Sequence, residues 1–432
     1  MIGINRRLMQ LEEENKAIRV SLVGAGLMGK GMVSQMLLMK GMIPAMVSSN
    51  NINDAIEAYT LAGISKDDIV IGKTLEEINI AMEKGKYIAT DRTEYSTKAN
   101  LIDVVVDATG VPDVGAEIAL DSINNHKHII MLNIEADITI GPILSKLARE
   151  AGVVYTGSAG DEPGVLKEIY DFADAIGFEI VALGKGKNNP IDFDATPDSV
   201  RKVALEKGLK PLRLASFVDG TNTMIEMASI SNATGLIPDI RGGHGPKAIV
   251  NELPGIFDLV ENGGMLKKKG IVDYVNGIAP GVFAVVRADL PQIQREMKLV
   301  SMGDGPNYVL YRPYHLVSLE TPISIARAAI YKEPTIVPLG GPVSEVITRA
   351  KKDLKAGEKL DGIGEYTVLG SIDTYQKARE ENLVPIGLID SNTIVKRDIK
   401  KGEFISYDMV ELDKTTEVYK LRKIQEETNF ER

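Results

Sequence analysis

The sequence predicts an α/β protein with three parts: a Rossmann-type doubly wound parallel sheet, a second α/β substrate domain and a small β-rich tail. Three observations carry this reading. Apolar runs alternate with helical patterns over the first third of the chain, and such alternation implies βαβ units on a parallel sheet. A glycine-rich turn follows the first apolar run. Near the other end an eight-residue pattern occurs twice. The 432 residues suffice for two to four domains at roughly 150 residues each. The boundaries fall at 1–160, 161–345 and 350–432.

The first strand is Ile18 to Val23, an unbroken apolar run apart from Arg19 and Ser21. Gly24-Ala-Gly26-Leu27-Met28-Gly29 stands at its carboxyl end, and Lys30 to Met39 reads as a helix. In this context the three glycines have distinct roles: a tight turn, close backbone approach to a pyrophosphate, and close helix–strand packing. The helix start then offers free N–H groups and a positive dipole end to phosphate. A dinucleotide site is therefore expected, with Gly24, Gly26, Leu27, Met28 and Gly29 lining it. Pro44 to Val47 is a second strand and Asp54 to Ala62 a helix; the more polar stretch Gly72 to Asn100 reads as an insertion. The second strand ends in Ser48, Ser49 and Asn50, with no carboxylate to repel a 2′-phosphate, so NADP(H) is expected in preference to NAD(H). Leu101 to Asp107 is another buried strand, closed by Ala108-Thr109-Gly110; Val114 to Asn124 is helical, and His128 to Leu132 is a strand that leads into Asn133. Strand ends on this edge face the ligand crevice, which assigns Ala108, Thr109, Gly110 and Asn133 to the cofactor.

Beyond residue 160 the pattern changes. Phe178 to Leu183, Leu212 to Val218 and Val282 to Ala288 read as strands of a second sheet, and three glycine-rich loops lie between or after them, at 184–189, 241–246 and 302–306. Loops that need so many glycines need unusual backbone angles or close backbone approach. His315 to Ala329 reads as a helix. The tail repeats Asp353-Leu-Lys-Ala-Gly-Glu-Lys-Leu360 as Asp398-Ile-Lys-Lys-Gly-Glu-Phe-Ile405, the mark of a small pseudo-symmetric module.

Hydride transfer at a carbinol carbon needs a proton partner on its oxygen. Lys187 and Lys185, in the 184–189 loop, are the candidates, because a desolvated lysine approaches neutrality and can act as acid or base. Glu135, Asp161 and Glu162, with Asp137 nearby, are carboxylates on two strand-end loops. Such a set suits Mg²⁺ or Mn²⁺, or else caps helices and pairs with lysines. His244 and His315 are candidates for acid–base work or for holding a substrate hydroxyl, whereas His126 and His128 read as structural. Arg241, Lys247 and Arg312 are candidates for an anionic substrate group, with Asn188 and Asn222 beside them.

Composition bounds the function. Fifty Lys and Arg stand against 60 Asp and Glu, a net charge of −10, so wholesale nucleic-acid binding is not expected. With no Cys, thiolate metal sites, disulfides and cysteine nucleophiles are excluded. No apolar run approaches the ~20 residues of a spanning helix. A cytoplasmic homodimer acting on a small molecule is the expectation, with no membrane partner.

The Asp107-Ala-Thr-Gly110 turn and Asp219-Gly-Thr-Asn-Thr223 resemble homoserine dehydrogenase, although that family carries a lysine where this chain has Glu135. The repeated Lys-x-Gly-Glu turns of the tail are similar to the SAF domain. Gly160-Asp-Glu-Pro-Gly164, Gly184-Lys-Gly-Lys-Asn-Asn-Pro190, Gly243-His-Gly-Pro246, Met302-Gly-Asp-Gly-Pro306 and Tyr311-Arg-Pro-Tyr-His-Leu316 together resemble the reductoisomerase-like (DXR-like) proteins. That resemblance implies NAD(P)-dependent oxidoreduction of a small polyhydroxylated carbonyl or alcohol, phosphorylated or not. It also admits a metal-assisted rearrangement of a hydroxyketone before reduction. A plain polyol, sugar-acid or homoserine-type dehydrogenase is the alternative. An NADP(H)-sensing regulatory protein is the alternative of another class.

Overall fold

The computed structural model describes residues 3–430. They form two compact units. The first comprises the chain up to Asp161 together with Leu316–Val337 and Thr415–Asn429, and the second Glu162–His315 together with Pro338–Lys414 and Phe430.

The first unit holds seven strands: β1 (Ile18–Val23), β2 (Met42–Ser48), β3 (Ile69–Ile71), β4 (Tyr87–Thr90), β5 (Val104–Asp107), β6 (His128–Met131) and β7 (Tyr155–Gly157). Every pairing is parallel, in the order β3-β4-β2-β1-β5-β6-β7. The order reverses direction at β1, so a crevice opens between the carboxyl ends of β1 and β5, where doubly wound sheets bind ligands. Val20, Leu22, Val104, Val106 and Ile130 are fully buried in the core beneath it. The stretch read as an insertion is instead the edge of this sheet. It holds β4, and β3 ends just before it; at four and three residues the two strands are too short to show a period.

Helix Ile134–Glu150 contains Pro142, which lacks an N–H and disrupts the helical ladder around it. Gln425, from helix Glu417–Glu427, fills the gap. Its side-chain oxygen accepts from the Ile143 N–H at 3.1 Å and its amide donates to the Thr139 carbonyl at 3.1 Å. A side-chain amide thereby stands in for the missing i to i−4 bond. The fully buried Arg422 adds a second donor to the same carbonyl, at 3.2 Å.

The second unit holds β8 (Glu179–Lys187), β9 (Ile237–Pro238), β10 (Ile271–Asn276), β11 (Val282–Arg287) and β12 (Asn307–Arg312), in the order β12-β11-β8-β10-β9. β8 pairs parallel with β10 and antiparallel with β11. Residues 212–218, read as a strand, form helix Pro211–Val218. Proline at its first position presets helical φ, and the apolar run is too short to distinguish strand from helix by pattern. Helix Thr221–Thr234 follows. The 315–329 stretch is not one helix but a 3₁₀ turn at 317–319, an α-helix at 321–326 and a π turn at 327–331.

Two antiparallel pairs lie near the other end, β13 (Ser344–Ala350) with β14 (Val368–Thr374) and β15 (Ile394–Val395) with β16 (Val410–Glu411), and the connections within them carry the two repeats. They exchange equivalent bonds. Asp353 accepts from the Lys401 N–H at 2.9 Å and Asp398 from the Ala356 N–H at 3.0 Å. Within each turn the glutamate accepts from the lysine three residues earlier, Glu358 from Lys355 and Glu403 from Lys400, both at 3.0 Å. The pseudo-symmetry read from the sequence is thus a pseudo-symmetry of hydrogen bonds. Gly370 of β14 donates to Thr221 Oγ1 at 2.9 Å, and Lys351 reaches Asp219 at 2.7 Å, so this module and the start of the Thr221 helix belong to one packed unit.

Candidate active site

In the first unit the glycine turn has the shape a dinucleotide requires. Gly24 has φ +105°, and a Cβ there would stand 2.7 Å from the Ala108 carbonyl oxygen. A Cβ on Gly29 would stand 2.1 Å from the Gly24 carbonyl oxygen. Both positions are closed by the protein's own backbone. At Gly26 a Cβ would meet nothing within 4 Å, so its small size serves something other than internal packing. Gly26 caps helix Leu27–Leu38 without a side-chain hydrogen bond, and Leu27 and Met28 are exposed there. Open space before uncapped N–H groups is what a pyrophosphate occupies.

Asp107, Thr109 and Asn133 tie the neighbouring strand ends together. Asp107 is fully buried and accepts from the Thr109 N–H at 2.9 Å, the Thr109 hydroxyl at 2.7 Å and the Asn133 amide at 2.9 Å. Burial pushes its pKa up to about 6, against the pull of these donors. Asn133 also caps the Ile134 helix through the Ala136 N–H and donates to the Val111 carbonyl. Gly110 adopts φ +66° between them. Ser48 is not a free ribose contact: its hydroxyl is buried and bonded to Ser96 at 3.2 Å. Ser49 is half-buried and Asn50 exposed.

Of the carboxylates expected to hold a metal, Glu135 lies in the first turn of the Ile134 helix rather than on a loop, and is buried. Its neighbour Asp137 accepts from the Tyr155 hydroxyl at 2.8 Å. Asp161 is the last residue of the first unit's opening segment. His126 is exposed and His128 buried at the start of β6. His128 accepts the Val154 N–H at 2.9 Å, and burial with the nearby Lys332 charge lowers its pKa to about 4.

The second unit concentrates its chemistry at the carboxyl end of β8. Lys185 and Lys187 lie in the strand itself, not in a loop after it. β8 runs this far because β10 and β11 pair with both its edges. Gly184 and Gly186 are required there: a Cβ would meet the Phe283 ring at 2.5 Å in one case and the Ala279 backbone at 2.3 Å in the other. Side chains alternate along a strand, so both lysines share one face.

Lys185 donates to Glu162 at 2.5 Å and to Glu226. Glu162 opens helix Glu162–Ala175 and Glu226 lies in the Thr221 helix. Burial alone would drive Lys185 toward neutrality, but the two carboxylates outweigh it and favour the ammonium. Glu226 moves up to about 8 through burial and repulsion by Glu162. Lys187 is pulled down to about 8 by burial first and by the Lys185 charge second. Its Nζ donates to the Phe217 carbonyl at 2.5 Å. Asn222 donates to Glu226, one turn along the same helix, and His315 Nε2 stands 3.5 Å from Glu162. The result is one lysine clamped in the charged state beside another poised to titrate near neutrality.

Of the remaining candidates, His244, Arg241 and Arg312 are engaged elsewhere. The His244 ring bonds Asp239 at 2.8 Å and its N–H bonds Asp273. Arg241 pairs with Asp373 and Glu381, each at 2.6 Å. Arg312 pairs with Glu168 at 3.1 Å and stacks on Tyr314. Lys247 and Asn188 are exposed. The sequence reading missed Glu226, although it is the sole charged residue of the Thr221–Thr234 helix and is 3% exposed.

The fold and the site define a class: the chain is an NAD(P)-dependent oxidoreductase. Within that class, residues 160–321 match the family described as "Oxidoreductase DRL, catalytic domain". No curated protein matches the sequence. Among solved structures, a probable dehydrogenase from Thermotoga maritima is 13% identical, with 75% of this chain and 91% of that chain covered at a TM-score of 0.40. The scyllo-inositol dehydrogenase from Lactobacillus casei is also 13% identical, with 75% and 92% covered at a TM-score of 0.39.

Proposed function

We propose that this oxidoreductase reduces and oxidises a small polyhydroxylated carbonyl/alcohol pair, phosphorylated or not, with Lys187 as the acid–base group and NADP(H) preferred over NAD(H). The observation that carries the proposal is the pairing of a neutralising Lys187 with a permanently charged Lys185 on one strand face. A bound dinucleotide would rest on Gly24, Gly26 and the Leu27 helix start and would supply or accept the hydride. Lys187 in its ammonium form donates a proton to the carbonyl oxygen, and in its neutral form removes one from the alcohol. Lys185 has spent two of its three N–H donors on Glu162 and Glu226. The third is free to hold the same oxygen and stabilise negative charge on it. Glu162, Glu226, Asn222 and His315 present acceptors and donors side by side, which suits neighbouring hydroxyls.

NADP(H) preference rests on the absence of a carboxylate at Ser48–Asn50, with Ser49 and Asn50 as donors. Direct hydride transfer is favoured over a metal-chelated rearrangement because the Lys185 ammonium bridges the carboxylates of Glu162 and Glu226, whose oxygens lie within 4.8 Å of each other. The test is absorbance loss from NADPH and from NADH against a panel of hydroxyketones, sugar acids and polyols, with and without chelator. Turnover that ignores chelator and prefers NADPH is expected. A chelator-sensitive turnover restored by Mg²⁺ or Mn²⁺ would overturn the direct route, and tighter binding of NADH would overturn the cofactor preference.

A further inference from the structure

A cavity of about 340 Å³ opens inside the second unit, between the start of the Thr221 helix, the Arg241–Gly243 turn and strand β14. Its volume lies within the range of small-molecule sites. It occupies the side of the Thr221 helix away from Lys185. Gly220 and Met224 line it, whereas Asn222 and Glu226 serve the lysine cluster; two residues turn a helix by roughly 200°.

The lining has a distinct chemistry. Phe193 and Phe404 supply aromatic faces. The Arg349 guanidinium lies 5.1 Å from the Phe193 ring centre and 5.8 Å from that of Phe404, and its Nε donates to the Gly402 carbonyl at 3.0 Å. Among the described residues no carboxylate pairs with it, so its terminal N–H groups remain. The other charges on the wall are cancelled: Arg241 by Asp373 and Glu381, and Asp219 by Lys351. Ser371 adds a hydroxyl with no partner among the described residues. The cavity therefore carries one uncompensated positive charge beside two aromatic rings, Phe193 and Phe404, the latter also facing the neutralised Arg241 guanidinium 4.6 Å from its centre.

We propose that this cavity binds a small monocarboxylate with a flat apolar body, the carboxylate on Arg349 and Ser371 and the body against Phe193 and Phe404. Guanidinium reads carboxylate through two parallel hydrogen bonds, and a planar apolar group adds contact with the rings. The site is independent of the reaction at Lys187 and is tested without turnover.

Benzoate is the probe, titrated calorimetrically into the full chain. Saturable one-to-one binding is expected, with neutral benzamide weaker by at least about tenfold, or ~1.4 kcal/mol. Arg349→Leu should weaken benzoate by the same factor. Arg349→Lys, which keeps the charge and loses the fork, should also weaken it, and covers the case in which the leucine variant does not fold. Lys187→Met should leave it unchanged. Absence of saturation up to roughly 10 mM, well above the weak-binding regime near 1 mM, overturns the proposal. So does benzoate binding lost in Lys187→Met but kept in the Arg349 variants, which would place the probe at the lysine cluster. Inorganic phosphate binding as tightly as benzoate would overturn the flat-body requirement.

Discussion

Replacing Lys351 by Met should destabilise the second unit by several kcal/mol. The Lys351 side chain is 2% exposed, and its Nζ lies 2.7 Å from the fully buried Asp219 carboxylate. It also donates to the Ala195 and Glu365 carbonyls at 2.9 and 2.8 Å. Removing one partner of a buried ion pair costs about 3–5 kcal/mol, because the other charge is left uncompensated. Burial already raises the Asp219 pKa, and Lys351 is the first influence holding it down. Without Lys351 the carboxyl can relieve itself by taking a proton, so the loss should shrink as pH falls from 8 toward 5. Native-state hydrogen exchange of amides in the Thr221 helix reads the loss directly, without requiring the whole chain to unfold in one step. Adding Asp219→Asn to Lys351→Met should recover more than half of it, since the charge is then gone. A loss below about 1 kcal/mol, the size of an exposed pair, or one independent of pH, would refute the reasoning.

Lys187→Met should lower kcat by roughly 10² or more, the usual contribution of a general acid or base, with little change in dinucleotide affinity. In the wild type the reduction rate should fall as pH rises through about 8, where Lys187 loses its proton, and pH–rate profiles should show that limb missing in the variant. The same depressed pKa disfavours the charged lysine in the folded state, so Lys187 should make stability rise from about pH 8 toward its ordinary value near 10.5; denaturation midpoints in wild type and variant would show whether that rise disappears. Gly26→Leu should abolish binding of both dinucleotides in equilibrium titrations yet leave the melting temperature nearly unchanged, because nothing of the protein stands within 4 Å of a Cβ there. Gly29→Ala, forced against the Gly24 carbonyl, should lower the melting temperature instead.

The parallel sheet and its glycine turn were readable because both depend on local order: apolar runs long enough to show themselves, and glycines at fixed offsets. The tail repeat was readable for the same reason, since Asp, Gly and Glu recur at equal spacing. Where elements are short, the pattern fails. Strands of three and four residues at the sheet edge look like loop, and Leu212 to Val218 is ambiguous until Pro211 is weighed as a helix start. Lys185 and Lys187 stood out by type, but strand pairing on both sides of β8 places them in regular structure and fixes their shared face. Glu226 announced itself only as a lone charge in an otherwise uncharged helix. The Lys351–Asp219 pair, 132 positions apart in the chain, leaves no sequence signal, and neither does the commitment of Arg241 to two carboxylates from the tail.

The Gln425 patch on the Ile134 helix has a consequence in time. The two partners are 282 residues apart. At a synthesis rate of about 5–20 residues per second, roughly 15–55 s pass between the emergence of the broken helix and that of the side chain that mends it. Throughout that interval the Ile143 N–H and the Thr139 carbonyl lack their final partners, although the last strand of the parallel sheet, β7, is made only about 14 residues after Ile143. The dinucleotide unit is thus the first part of the chain to begin and among the last to be finished, and its completion reports that the second unit has been translated through Lys414.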